Sequence, residues 1–454
     1  VKKPLDLAIA DQLESLAIAV AMALVLKFFL VEAYQIPSGS MQPTILGDPQ
    51  TGIFDRVLAD KLTTMIRPPR RWEVMIFRFP NDERALYVKR IVGLPGETLE
   101  IDGGDLWVDG KIARKPEPVL DSVLKDVFDD GVDLSLVCDA APGITLNGER
   151  ADFAPDTTAE LKLRGTVRDD FLHGYDRSWG ITANKSDSQT YAVADLEVSC
   201  DVTLADGGRA RLSIDSDEGE ARFELGTDGG ASAAFTPTGD AAPVSAGEGR
   251  VGDLPRDRPL RLVARHVDHE LALFVDGDEV LRVADDVSGP RATRPRKATA
   301  RIALDGGGSL SGLRVRRDIF YTPPKDGEPR WEIPEGHYFA LGDNTQGSLD
   351  GRGWKQLTLV FKPGAVKAAD GSPVTSWTGF DFDNPRAPDA NPRRLGGGRL
   401  AFANVHGDVV TFRDTDIVSE AREPAPFIPE RYLLGKAVAV FWPIFKPFRW
   451  KLIR

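Results

Sequence analysis

Short runs in which apolar and polar side chains alternate, each cut off by glycine, proline or aspartate, recur along most of this chain and constrain its fold more than any other feature. A side-chain period of two puts one face of each run into a core and turns the other outward, which is the signature of strands. In WEVMIFRF (72–79), Val74, Ile76 and Arg78 alternate with Met75, Phe77 and Phe79; ALYVKRIVGL (85–94) follows after a short turn. Beyond residue 115 the runs continue as LEVSCDVTL (196–204), LRLVARH (260–266) and LALFVDGDEVLRV (271–283), the last with Asp-Gly at a hairpin turn. The expected fold class is mainly β.

At 454 residues the chain is too long for one core, so several domains are expected. A net charge of −12 argues against a nucleic-acid binder, which normally carries a basic face. Cys138 and Cys200 are the only cysteines, too few for a zinc site; they read either as buried free thiols or as one disulfide. The acidic region from 116 to 322 reads as an inserted β-sandwich, and its ELALFVDGDEVLRV hairpin resembles laminin-G and concanavalin-like jelly rolls.

Near the N-terminus, LAIAVAMALVLKFFLV (Leu16 to Val31) is interrupted only by Lys27, with Lys2 and Lys3 upstream. We read a transmembrane helix over 12–34 after a cytoplasmic tail of residues 1–11, Lys27 snorkelling to an interface and the remainder of the chain lying outside the cytoplasm. A few residues later comes QIPSGSMQPT (35–44), in which prolines fix φ on both sides of a glycine flanked by hydroxyls. A serine needs a base to become a nucleophile. None of the five histidines lies in a hydrolase context, His337 being the best placed. Lysine is the other option, provided burial lowers its pKa. In LYVKRIV, Lys89 shares a face with Tyr87 and Ile91, while Arg90 points the other way and stays charged.

PSGSMQPT, YVKRIVGLPGE, GHYFALGDNTQGSLDGRGW and LLGKAVAVFWP, in that order behind an apolar N-terminal segment, closely resemble bacterial type I signal peptidase. The resemblance implies a β catalytic domain in pieces at 35–115, 323–354 and 427–454, interrupted by the jelly-roll-like sandwich at 116–322 and by a second β-rich insertion at 355–426. It also implies a serine endopeptidase in the cell membrane that cuts signal peptides from exported preproteins, with no cofactor. Ser40 matches the family's nucleophile and Lys89 its general base. Ser38 and the Ser40 N–H would form the oxyanion hole, Ser348 would hydrogen-bond the Lys89 amine, and Asp350 and Arg352 would brace the loop. Ile36, Pro37, Met41, Tyr87 and Val88 would line the shallow pockets for small side chains. Thr345, Gln346 and Gly347 depart from the family's Arg-Asp-Asn, and Gly351 stands where it has Ser. The implied partners are signal peptides and the lipid bilayer, with an unknown ligand for the sandwich and no nucleic acid. The competing reading is a surface module gripping glycan or protein on a peptidase scaffold that no longer cuts.

Overall fold

The computed structural model describes residues 5–25, 30–49, 52–155, 158–169, 191–240, 242–252, 254, 258–284, 297–382, 390–442 and 450–454. Lys2, Lys3, Lys27 and His173 lie outside them. The chain divides into two compact units: Val1–Glu97, Glu332–Asn344 and Ser348–Arg454 form one, and Thr98–Trp331 with Thr345–Gly347 the other.

In the first unit, α1 (Leu5–Val25) is followed by β1 (Val31–Gln35), β2 (Arg56–Asp60), the short α2 (Leu62–Ile66), β3 (Val74–Phe79), β4 (Asp82–Gly93), β5 (His337–Leu341), β6 (Phe427–Pro429) and β7 (Leu433–Trp442). The strands pair antiparallel in the order β1-β2-β7-β3-β4-β5-β6. Alternation sets the two faces of β3: Val74 and Ile76 join a cluster with Val57, Ala59, Ala437 and Val440, whereas Met75, Phe77 and Phe79 join one with Ile91, Tyr338 and Trp354. A strand buried on both faces reads as a continuous apolar run, and only Arg78 reaches solvent. Among the described residues, 355–424 add two three-stranded sheets and one two-stranded sheet around a separate core of Leu357, Leu359, Phe361, Phe402, Val410 and Phe412.

The expected helix over 12–34 differs from the one observed. α1 starts earlier, at Leu5, and ends at Val25, and Val31 to Tyr34 are strand β1 instead, because β2 offers that segment a full ladder from Val31↔Asp60 to Gln35↔Arg56. No helix among the described residues is long and apolar enough to cross a membrane. Residues 12–22 of α1 are nonetheless all exposed, including Leu13, Leu16, Ile18, Val20 and Met22.

The second unit is a β-sandwich. Among the described residues one sheet has eight strands and the other seven, and one continuous apolar cluster lies between them, with Val198, Val202, Leu262 and Leu273 from the first sheet meeting Leu212, Ile214, Phe223 and Phe235 from the second. Its strands Glu270–Val275 and Asp278–Ala284 form the expected hairpin. Asp276 (φ 51°) and Gly277 (φ 93°) both adopt the left-handed conformation that such a two-residue turn requires. Cys138 and Cys200 are buried in this core as free thiols, their pKa pushed up to about 12 by burial.

Candidate active site

After β1 the backbone stays tied to the sheet by Ile36 N–H donating to the Asp55 carbonyl (3.0 Å), then turns through a single 3₁₀ turn over Gly39–Met41, closed by Gln42 N–H on the Gly39 carbonyl (3.1 Å). Met41 is fully buried against Ile36, Ile45, Val57 and Ile76. That plug leaves its neighbour Ser40 half-buried at the surface of the turn. Ser38 Oγ is exposed and donates to Ser40 Oγ at 3.4 Å.

β4 delivers the second side chain. Tyr87, Lys89 and Ile91 lie on one face of the strand, as the alternation predicts, and Tyr87 and Ile91 both belong to the aromatic cluster on that side. Tyr87 stacks on Phe79 at 4.4 Å between ring centroids. Lys89, only 3% exposed, extends past the Tyr87 ring, and its Nζ donates to Ser40 Oγ over 2.6 Å. Burial lowers its pKa to about 8; the Asp350 and Asp343 carboxylates pull it back upward and Arg352 opposes them. The lysine is thereby neutral often enough near neutrality for the hydrogen bond to run the other way, from hydroxyl to amine.

Arg90 faces away from Lys89, as expected, yet it is wholly buried. Its guanidinium grips Asp343 through Nε (2.8 Å) and Nη2 (2.7 Å) and also donates to the Trp72 carbonyl. Asp343 in turn accepts from Thr44 Oγ1, so the KR pair of β4 sends one cation to the serine and one to the loop after β5. In that loop Asn344 N–H donates to the Ser40 carbonyl (3.1 Å) and Asn344 Nδ2 to the Gly39 carbonyl (3.0 Å). The sequence reading gave Arg90, Asp343, Asn344 and Thr44 no role in the site. Their available signal was their place in the motifs PSGSMQPT, YVKRIVGLPGE and GHYFALGDNTQGSLDGRGW.

Asp350 and Arg352 pair as expected, through Nε (2.8 Å) and Nη2 (2.7 Å). Burial works to raise the Asp350 pKa, but the Arg352 guanidinium and the Gly342 N–H hold it below the ordinary carboxylate value. The expected bond from Ser348 to Lys89 is absent: Ser348 Oγ is buried without a hydrogen-bond partner among the described residues. Its short side chain is turned against Gly342 instead, where a Cβ would lie 2.2 Å from Ser348 Oγ and 2.4 Å from the Ser40 carbonyl oxygen. Gly342→Ala is therefore expected to push the Asn344 loop off the serine turn, because a backbone carbonyl cannot swing aside. A loss of stability of about 1–3 kcal/mol in a thermal melt, with a larger proportional loss of any activity, is the expected outcome.

The five expected pocket residues do not line one surface. Ile36 and Met41 are core, Val88 packs with them, Tyr87 lies on the opposite face of β4, and Pro37 is exposed. Consecutive residues 87 and 88 of a strand must point apart. His337 starts β5 and is hydrogen-bonded to the Glu335 carbonyl, about 16 Å from the Gly342 end of that strand at ~3.3 Å per residue. Thr345, Gln346 and Gly347, where the motif departs from the family pattern, group with the second unit. There Thr345 Oγ1 donates to the Phe320 carbonyl (2.8 Å) and Gln346 donates to Asp169.

Among the described residues, Asp105, Asp195 and Asp268 of the second unit bring carboxylates within metal-binding reach of one another. Lys115 Nζ already bridges Asp268 and Asp318, both at 2.6 Å, and His269 lies beside Asp105. Of the three carboxylates, Asp268 is thus paired by the buried lysine.

The family model for signal peptidase, peptidase S26, matches residues 9–136 and 277–370. Signal peptidase I of Pseudomonas fluorescens is 38% identical over 108 residues, 21% of this chain and 36% of that protein. Signal peptidase I of Leptolyngbya laminosa is 31% identical over 114 residues, 23% of this chain and 53% of that one. The chain thus spans between about a third and half of the length of these relatives. A Bacillus subtilis protein of unknown function with a galectin-like fold superposes with a TM-score of 0.29 at 10% identity, over 43% of this chain and 97% of that one; the sandwich itself rests on the strand pairing above. The sequence motifs and the family match thus make this chain similar to the bacterial type I signal peptidases of peptidase family S26, and its second unit is a β-sandwich.

Proposed function

We propose that this chain is a membrane-attached serine endopeptidase that removes signal peptides from exported preproteins, with Ser40 as nucleophile and Lys89 as general base. The observation that carries the reading is the 2.6 Å contact between a buried lysine of depressed pKa and a serine held at the surface of a tight turn. Neutral Lys89 takes the Ser40 proton as Oγ attacks the scissile carbonyl. The carbonyl oxygen becomes an oxyanion that accepts from the Ser40 N–H and the Ser38 hydroxyl. Lys89 then gives its proton to the leaving amine, and water, deprotonated by the same amine, releases the acyl group from Ser40.

Attachment to the bilayer is supported by the exposed apolar side chains of residues 12–22 and by a second set on α2, where Leu62, Met65 and Ile66 are exposed; of the cations beside them, Lys61, Arg67 and Arg71 pair with Glu32, Glu73 and Glu97, and Arg70 is exposed. We place the catalytic unit on the extracytoplasmic side, where signal peptides emerge. The test is incubation of the full chain in detergent with a preprotein, alongside Ser40→Ala. Cleavage at the signal-peptide junction by the native chain and none by the variant is expected. If the native chain is as inert as the variant, the reading fails and the binding-module alternative takes its place.

A further inference from the structure

Resting on that reading, we infer that Asn344 is a positioning residue for the oxyanion site, acting through the peptide bond that joins Gly39 to Ser40. That peptide has two ends. Its N–H belongs to Ser40 and is the backbone donor that faces the developing oxyanion; its carbonyl belongs to Gly39 and points the opposite way, because the two are antiparallel across a planar trans amide. Whatever fixes the Gly39 carbonyl therefore aims the Ser40 N–H.

Asn344 Nδ2 donates to the Gly39 carbonyl over 3.0 Å, and Gln42 N–H adds a second bond to the same oxygen at 3.1 Å. The Asn344 N–H meanwhile holds the Ser40 carbonyl at 3.1 Å, so one residue clamps both carbonyls flanking the nucleophile. Asn344 is 8% exposed, and its neighbour Asp343 is locked by the buried Arg90, so the clamp stands on a rigid base. Donors on the Gly39 oxygen also draw electron density through the amide and make the Ser40 N–H a stronger donor. The side chain touches neither substrate nor Lys89 in this chemistry. It acts on the geometry and polarity of one N–H.

The test is Asn344→Leu, which keeps the size of the side chain and the backbone bond to Ser40 but loses the amide donor. A fall in kcat of roughly 10²-fold with KM little changed is expected, the usual effect of losing one oxyanion donor. The midpoint of the acid limb of the pH profile should stay that of the native enzyme, since Lys89 is untouched. A peptide carrying C=S in place of the scissile C=O gives the discriminating readout. Sulfur accepts hydrogen bonds poorly, so the native enzyme should lose much of its rate on the thio-substrate and the variant should lose little more. An equal thio-effect in both, or a native kcat in the variant, overturns the inference. Should Asn344→Leu fail to fold by circular dichroism, Asn344→Ser, smaller and still polar, is read by the same thio-effect. If Ser40→Ala cleaves like the native chain, the dyad reading falls and takes this inference with it; if Ser40→Ala is inert and Asn344→Leu is fully active, only this inference falls.

Discussion

Lys89→Ala abolishes preprotein cleavage, by a factor on the order of 10⁴ or more, while circular dichroism remains that of the native chain: this is the expected result with the largest effect. Among the described residues, Lys89 is the base in contact with Ser40. His337 sits at the far end of β5 and is engaged by a backbone carbonyl, and His406 contacts Glu83 at 3.1 Å. Because nucleophile and base act as one unit, Ser40→Ala/Lys89→Ala should be no slower than either single change. Lys89→Arg should be as inactive as Lys89→Ala, since a guanidinium keeps its proton at every working pH. His337→Gln should retain the native rate. An inactive His337→Gln beside an active Lys89→Ala would falsify the dyad.

The second large effect is on pH dependence, in rate and in stability together. The rate should rise through a midpoint near pH 8 as Lys89 loses its proton, then level off. The folded-state pKa of about 8 lies below the ordinary lysine value of 10.5, so between those values the unfolded chain holds a proton that the folded chain has released. Stability therefore rises with pH across that window, and below it the fold bears the cost of a buried ammonium, about 3 kcal/mol at full burial. Lys89→Met removes that cost. At pH 7 it should unfold at higher denaturant than the native chain, by an increment approaching that figure, and the advantage should shrink as pH rises from 8 towards 10.5. A Lys89→Met chain that is less stable at pH 7 would show that the lysine is solvated or paired well enough to fold without strain. Substituting a polar residue for Tyr87, which covers the lysine on one side, should rehydrate the amine and move the rate midpoint upward.

Much of this site was legible before any fold was known, and the limits have physical causes. Alternation within LYVKRIV is a local property, so it correctly put Lys89 among Tyr87 and Ile91 and turned Arg90 away. The Asp350 and Arg352 pair was legible through the motif, since side chains two apart in a tight loop can meet. Ser348 was misread because a hydroxyl has so short a reach that the packing of Gly342, not the order of residues, decides what it touches. Arg90, Asp343 and Thr44 were missed because their link spans more than half the chain, and nothing local distinguishes a buried ion pair from solvated charges. The same holds in the second unit, where Lys115 meets Asp268 and Asp318 across the entire sandwich sequence. The end of α1 was misplaced because an apolar run suits a helix or an edge strand equally, and pairing with β2 decides between them.

That pairing has a metrical consequence. Residues 26–30 are all that separates α1 from β1, and at ~3.3 Å per residue they reach at most roughly 17 Å. From Val31 onward every step towards Ser40 is fixed: the ladder to β2 continues into the Ile36 bond to Asp55 and then into the serine turn. Were α1 held in a bilayer, as proposed above, that linker would cap the distance at which Ser40 can stand from it. Peptide bonds would then be selected by their distance from the apolar segment before any pocket reads their side chains, and two preproteins with identical residues around the scissile bond but polar stretches of different length would be cut unequally.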